Sequence, residues 1–470
     1  MMVHHKEFAL DEFTPIALYE KAKEFFPGEK SYLFESVVNT SEGNFSYIVC
    51  GEHEAIWSED GKSFYKNSQG KVHQIESNPL LFMKKYYKEV DFEYYKELSK
   101  KLGVGFVDGF IGYIGYDMVK EFEPVLKPFM QNLKDELHTP DFYMLRPKLT
   151  LAYSHKNATL TLLTPDSKVA DRFEEMEKSI KGTYRYTPLK KAKILGESKF
   201  AHSKEQFFEM VAKSKQMIRS GDVFQIVISN RLTQQAIVDR FSFYRKLRTL
   251  NPSPYLFLLE HENFAIAGSS PEVMVRLTDG EILLRPIAGT RKRGGTPARD
   301  KELELEMLND PKEVAEHVML IDLGRNDVGR VAKPGSVKVP EIMRVERYSH
   351  VMHMVSDVVG KLDEKYDMFD LFMATFTAGT MTGAPKIRAM ELIAQFEGLK
   401  RGFYSGSVGY FGFDGDMDSA IAIRTAMLLP DKVVFQAGAG IVADSKPELE
   451  YLEVNNKLKA LKKALEELAQ

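Results

Sequence analysis

The chain has 470 residues, 44% of them hydrophobic and 28% charged, with a formal net charge of -3. That is ordinary globular composition, long enough to bury a large core without disulfides. No long basic block occurs, so the balance argues against nucleic acid or an anionic membrane as partner, and an anionic ligand must be held by local arginines, lysines and backbone amides.

The N-terminus, Met1 to Lys6, has no apolar stretch behind a basic start, and no run of eighteen apolar residues follows, so neither a signal peptide nor a membrane span is expected. Ser31–Ser36 and Phe45–Val49 read as strands separated by a turn, and Cys50, the only cysteine, cannot form an internal disulfide, which fits a reducing cytoplasm. Val107–Asp117 interleaves glycines with aromatics, a sign of bulges or close backbone approach. The basic, breaker-containing stretch 181–200 reads as a linker between an N-terminal region, 1–180, and a C-terminal region, 201–470. Beyond it, Asp222–Ser229, Phe264–Gly268 and Lys432–Gly440 read as strands, and Leu303–Asp322, Pro385–Glu397 and Pro447–Gln470 as helices. His350 and His353 are read on one helix face. Strands and helices mix without strict alternation, which favours an α+β fold.

Two Glu-x-x-Glu pairs, Glu313 with Glu316 and Glu450 with Glu453, each put two carboxylates on one helix face. Facing each other, such helices would make an oxygen-only site suited to Mg²⁺; solvated helix faces are the plainer alternative. Gly379–Lys386 runs into a helix and is either an anion-binding N-terminus or a plain cap made by Thr382 or Gly383. Gly438 and Gly440 allow backbone to approach a ligand, or simply form a tight turn. Arg424, in the apolar run Ile421–Thr425, needs a partner, either a ligand carboxylate or an internal salt bridge. Glu272, on a turn at a strand end, is placed as a catalytic acid or a turn cap. There is no His/Cys metal spacing.

From about residue 200 to 460 the motifs fall in the order of one family. They include Gly221-Asp-Val-Phe-Gln, Asn251-Pro-Ser-Pro-Tyr, Gly268-Ser-Ser-Pro-Glu, Arg285-Pro-Ile-Ala-Gly-Thr, Ser349-His-Val-Met-His and Gln436-Ala-Gly-Ala-Gly-Ile. The chain resembles the chorismate-utilising family and, within it, the anthranilate synthase component I branch; residues before 200 match more loosely. The resemblance implies two sheets packed as a large β-sandwich wrapped by helices. It implies Mg²⁺ held by Glu316 and Glu453, with Glu313 and Glu450 around it, and chorismate bound by Gly289, Thr290, Tyr404, Arg424 and the amides of Gly438, Ala439 and Gly440. It implies Glu272 as general acid at the C4 hydroxyl, with Thr380 and His353 lining the ring.

In this comparison Gln225 stands where isochorismate and salicylate synthases have a lysine base, and Ala288 where many aminodeoxychorismate synthases have a nucleophilic lysine. What remains is amination at C2 followed by pyruvate loss, the first step of tryptophan biosynthesis. Ammonia would come from a separate glutamine amidotransferase subunit, making a hetero-oligomer. Leu33-Phe-Glu-Ser36, with Pro254, Tyr255 and Leu256, is similar to the family's site for L-tryptophan as feedback inhibitor, although Phe34 and Asn44 depart from its pattern. The alternatives are aminodeoxychorismate synthase and a non-catalytic amino-acid-binding regulatory protein.

Overall fold

The computed structural model describes residues 2–35, 45–348 and 351–470. Ser36 and Asn44 of the expected inhibitor site, and His350, lie outside them.

Among the described residues, twenty strands pair into one continuous antiparallel sheet, with three more in a small second sheet. Followed from neighbour to neighbour, the large sheet has two arms and a bridge. The first arm runs Lys193–Phe200, Gln225–Ile237, Lys432–Ile441, Thr425–Leu428, Ala265–Ser270 and Tyr255–Glu260. The bridge is N-terminal: Ser31–Glu35, Phe45–Glu59 and Phe142–Ser154. The second arm continues through Gly109–Ile114, Ser407–Gly412, Met417–Ile421 and Val273–Thr278. Strands from both sides of residues 181–200 therefore share one sheet.

Alternation along each strand sorts side chains to two faces. Phe257 and Leu259 enter one hydrophobic cluster, Leu256 and Leu258 the other. The first cluster draws on both arms, joining Phe257 and Val434 to Val275 and Met417, so the arms face each other across it. The second is covered by helices, which contribute Ile393, Leu458 and Leu461. Both faces are thus buried, which is why these strands read as near-continuous apolar runs. The architecture is α+β, as expected.

Several local expectations change. Leu303–Asp322 is not one helix but the end of α1 (Pro297–Leu308) and most of α2 (Pro311–Gly329). Asp310 breaks them by accepting from the amides of Lys312 and Glu313, and Pro311 takes the first-turn position that needs no N–H. Helix α3 spans Lys386–Glu397, and α4 spans Pro447–Ala469. Within the stretch read as a linker, Lys193–Phe200 is an edge strand; it is exposed on both faces and so carries no apolar alternation. His353 lies in the strand Val351–Val355 of the small sheet, not on a helix.

Candidate active site

The chain passes between the two arms at two adjacent places. One is Pro271–Glu272, between Ala265–Ser270 and Val273–Thr278. The other is Ala422–Arg424, between Met417–Ile421 and Thr425–Leu428. The crossings are stitched together: the Ile421 amide donates to the Glu272 carbonyl (3.0 Å), and the Ser269 amide to the Arg424 carbonyl (3.1 Å). Arg424 is therefore not a strand residue. Its φ of 51° is left-handed, strained for a residue with a β-carbon, and it turns the chain out of one arm into the other.

Both side chains line a cleft of about 920 Å³. Glu272 is 6% exposed, and burial pushes its carboxyl up to about 7 against the opposing pull of the Thr380 hydroxyl, Arg424 and Lys457. The Thr380 oxygen, itself buried, approaches Glu272 without completing a standard hydrogen bond. Arg424 is half-buried, and burial lowers its pKa in spite of Tyr404, Glu272 and Glu453 nearby. Among the described residues no carboxylate lies within ion-pair distance of its guanidinium, so the internal salt bridge is not what satisfies it.

Helices α2 and α4 bring Glu313, Glu316, Glu450 and Glu453 to the same cleft. Glu316 accepts from Gln225 Nε2 at 2.8 Å, and its pKa is raised by burial and by the charges of Glu313 and Glu453. Glu450 is raised by burial and by Glu453. Glu313 is held by Arg291 at 3.0 Å and Glu453 by Lys457 at 2.6 Å. Among the described residues no three acidic or imidazole groups converge as a finished metal site. The donor set still fits a hard cation, because Glu316 and Glu450, raised by burial and by neighbouring carboxylates, regain their ordinary ionisation when a divalent charge sits among them.

The strand Lys432–Ile441 presents Gly438 and Gly440 to the cleft. A β-carbon at 438 would stand 2.9 Å from the Ile228 carbonyl and 3.0 Å from the Tyr404 hydroxyl, so close packing there favours glycine, whereas one at 440 would meet the movable end of Gln225 at 2.4 Å. Ala439, between them, points its methyl into the helix-covered cluster and contributes only main chain. Gly289 (φ +62°) and Thr290 line the opposite wall with His353, whose Nδ1 lies 3.1 Å from the Gly289 carbonyl and 3.0 Å from the Thr290 hydroxyl. A carbonyl only accepts, so this contact places the proton on Nδ1 and leaves Nε2 as an acceptor. Burial lowers the His353 pKa, which keeps the ring neutral.

Two expectations fall elsewhere. Gly379–Lys386 does not bring the start of α3 to the cleft: neither Thr382 nor Gly383 caps that helix, Thr382 and Ala384 accept at their carbonyls from the Val227 and Phe224 amides, and Lys386 is buried against Asp327 at 2.5 Å. Only Thr380 and Met381 of that segment reach the cleft. Of the expected inhibitor residues, Pro254 lines the cleft, the Tyr255 hydroxyl is engaged by Asp418 (3.0 Å) and Arg276 (2.8 Å), and Leu256 is core, paired across the ladder with Glu35.

Residues 30–463 match the model of the chorismate binding enzyme family. The chain belongs to that family. It is 42% identical to a protein named anthranilate synthase component 1 from Aquifex aeolicus, over 98% of this chain and 94% of that one. A namesake from Acetivibrio thermocellus is 39% identical over the same shares. The crystal structure of anthranilate synthase component I from Streptococcus pneumoniae superposes with a TM-score of 0.74 at 34% identity, covering 91% of this chain and 94% of that one. The menaquinone-specific isochorismate synthase of Escherichia coli shares the fold (TM-score 0.72, 18% identity, 99% and 94% coverage).

In this chorismate-binding enzyme two site residues escaped the reading of the sequence. Lys457 ties Glu453 to the Gly438 carbonyl (2.8 Å), joining α4 to the glycine strand. Its i+4 spacing from Glu453 was a usable signal. Arg291 holds Glu313 across the chain from a strand of the small sheet, and no local pattern marks it. No helix among the described residues is long and apolar enough to cross a membrane.

Proposed function

We propose that this chorismate-binding enzyme works as anthranilate synthase component I, converting chorismate and ammonia to anthranilate, pyruvate and water. The observation that carries the reading is Arg424, a cation without a carboxylate partner among the described residues, set beside Glu272, whose carboxyl burial pushes up to about 7. A dicarboxylate with a hydroxyl leaving group supplies what each lacks.

Arg424, with Tyr404, would hold the enolpyruvyl carboxylate through charge-assisted hydrogen bonds. Glu272 would give its proton to the C4 oxygen, which departs as water while the ammonia nitrogen bonds to C2 and the ring double bonds shift. Loss of the C2 proton and of the side chain as pyruvate then makes the ring aromatic. Thr380 and His353 would line the ring, and Gly289, Thr290 and the main chain of Gly438, Ala439 and Gly440 would fix it in place. Glu316 and Glu453 would hold Mg²⁺, with Glu313 and Glu450 around it, and the bound ion would act as Lewis acid and template for the ring carboxylate. Gln225 donates to Glu316 and carries no basic nitrogen to activate water. Ala288 offers no amine for covalent capture.

Cys50 is buried, its thiol pushed up to about 12, so it is no nucleophile for releasing ammonia from glutamine. A separate glutaminase subunit supplies that step. Feedback inhibition by tryptophan at Ser36, Pro254, Tyr255 and Leu256 belongs to the same reading, supported by the pairing of the Ser31–Glu35 strand with Tyr255–Glu260. An active Ser36→Phe enzyme that stays fully tryptophan-sensitive would remove that assignment.

The test is incubation of the purified chain with chorismate, Mg²⁺ and ammonium at mildly alkaline pH. Fluorescent anthranilate with equimolar pyruvate, abolished by chelation, is expected. Aminodeoxychorismate without pyruvate would move the enzyme to amination at C4. No turnover, even with a glutaminase and glutamine, would favour a non-catalytic regulatory protein.

A further inference from the structure

Directly behind the cleft lies a buried ion pair that the reaction does not use. Arg401 is 1% exposed and grips Glu397 with two nitrogens, at 2.9 and 2.6 Å. The same guanidinium donates to the Met381 carbonyl (2.9 Å), the Val227 carbonyl (2.8 Å) and the Ser405 hydroxyl (3.4 Å). The guanidinium carbon stands over the Tyr404 ring, 5.6 Å from the ring centre, and over that of Tyr116 at 4.8 Å. Glu397 in turn accepts from the Ser229 amide (2.8 Å) and hydroxyl (2.9 Å), and Ser229 is the ladder partner of Gly438.

The guanidinium therefore touches three parts of the cleft wall, Val227, Met381 beside Thr380, and Tyr404, and its partner Glu397 reaches a fourth, the strand of Gly438, through Ser229. A buried ion pair that only filled space would be replaceable by apolar side chains. This one places a cation against the face of a phenol whose hydroxyl borders the cleft. A cation over an aromatic ring withdraws electron density from it, which strengthens the O–H as a donor.

We propose that Arg401 is a positioning residue, its cation polarising the Tyr404 hydroxyl toward the substrate carboxylate. The proposal rests on the assignment of Tyr404 as a carboxylate ligand. A lysine cannot replace this arginine, because it has neither the planar face nor the five-donor fork.

The test is a double-mutant cycle on the Mg²⁺-loaded enzyme with chorismate and ammonium, reading KM and kcat separately. Arg401→Lys, whose single ammonium cannot keep both the Glu397 fork and the place over the ring, is expected to raise KM for chorismate by up to about tenfold, the scale of a desolvated cation–ring contact. In a Tyr404→Phe background, which keeps the ring and removes the hydroxyl, the same change is expected to move KM less than about twofold. Equal factors in both backgrounds would show an ordinary structural pair and overturn the proposal. If Tyr404→Phe alone leaves KM unchanged, the carboxylate assignment fails and the proposal with it, whereas the product made by the unaltered enzyme still judges the reaction separately. Should Arg401→Lys not fold, Arg401→Met with Glu397→Met removes both charges together and enters the same cycle.

Discussion

Two arginines in this chain meet opposite fates. Arg146, in the bridge between the arms, is 1% exposed and fully matched: Nε and Nη2 reach Asp108 at 3.0 and 2.5 Å, and Glu54 lies at 3.6 Å. Tyr95 and Tyr86 close the remaining lone pairs of those acids. Arg424, at the crossing between the arms, has no such partner among the described residues, and the carboxyl of Glu272 beside it is raised by burial rather than settled. A buried charge is costly unless paired. A cluster complete in itself is architecture, whereas an incomplete one is finished by something the chain does not contain. The comparison separates the two without reference to any relative.

The largest effect expected is at the unfinished side. Glu272→Gln keeps shape and removes the proton donor, so kcat should fall by about 10²–10⁴ with the melting temperature retained. Anthranilate fluorescence measures the first and calorimetry the second. A loss of less than about tenfold would take the general acid elsewhere.

The finished side should break in the other currency. Arg146→Met strands Asp108 and Glu54 and is expected to cost about 3–5 kcal/mol in urea unfolding, with turnover per folded molecule unchanged. Arg424→Ala should do the reverse. Hydrogen bonds to a charged group are worth roughly 1.5–3 kcal/mol, so KM for chorismate should rise about 10–100-fold, while stability holds or improves because no internal partner is orphaned. An Arg424→Ala enzyme that unfolds like Arg146→Met would erase the distinction.

Much of this was legible from residues. The helices that carry the two Glu-x-x-Glu pairs and the turn that carries Glu272 are legible in the sequence, because helical spacing and strand-end punctuation are local signals, whereas Gly438 and Gly440 lie within a strand and not in a turn. The Arg424 crossing is not legible in this way. Ile421-Ala-Ile-Arg-Thr has the composition of a strand, and only the pairing of its two ends with different arms makes it a bend. His353 failed likewise, since His350 and His353 share a helix spacing but the segment pairs as a strand with Ile287–Lys292. Arg401 escaped for another reason. Its role depends on carbonyls 20 and 174 positions away, which no window along the sequence can see.

The smallest effect tests the same contrast by titration. Glu272 has a folded-state pKa of about 7 against an ordinary 4.5, so between those values the native state holds a proton that the unfolded chain has lost. Stability contributed by the neutral form is therefore full below about pH 4.5, declines as pH rises, and is gone above about 7; with water entering the cleft the change should be on the order of 2 kcal/mol. Activity follows the same proton, so kcat/KM should fall on the alkaline side with an apparent pKa near 7. Glu272→Gln should flatten the stability profile between pH 4.5 and 7. A slope that survives the substitution would assign the titration to another raised acid of the cleft, with Glu316 and Glu450 the next to replace.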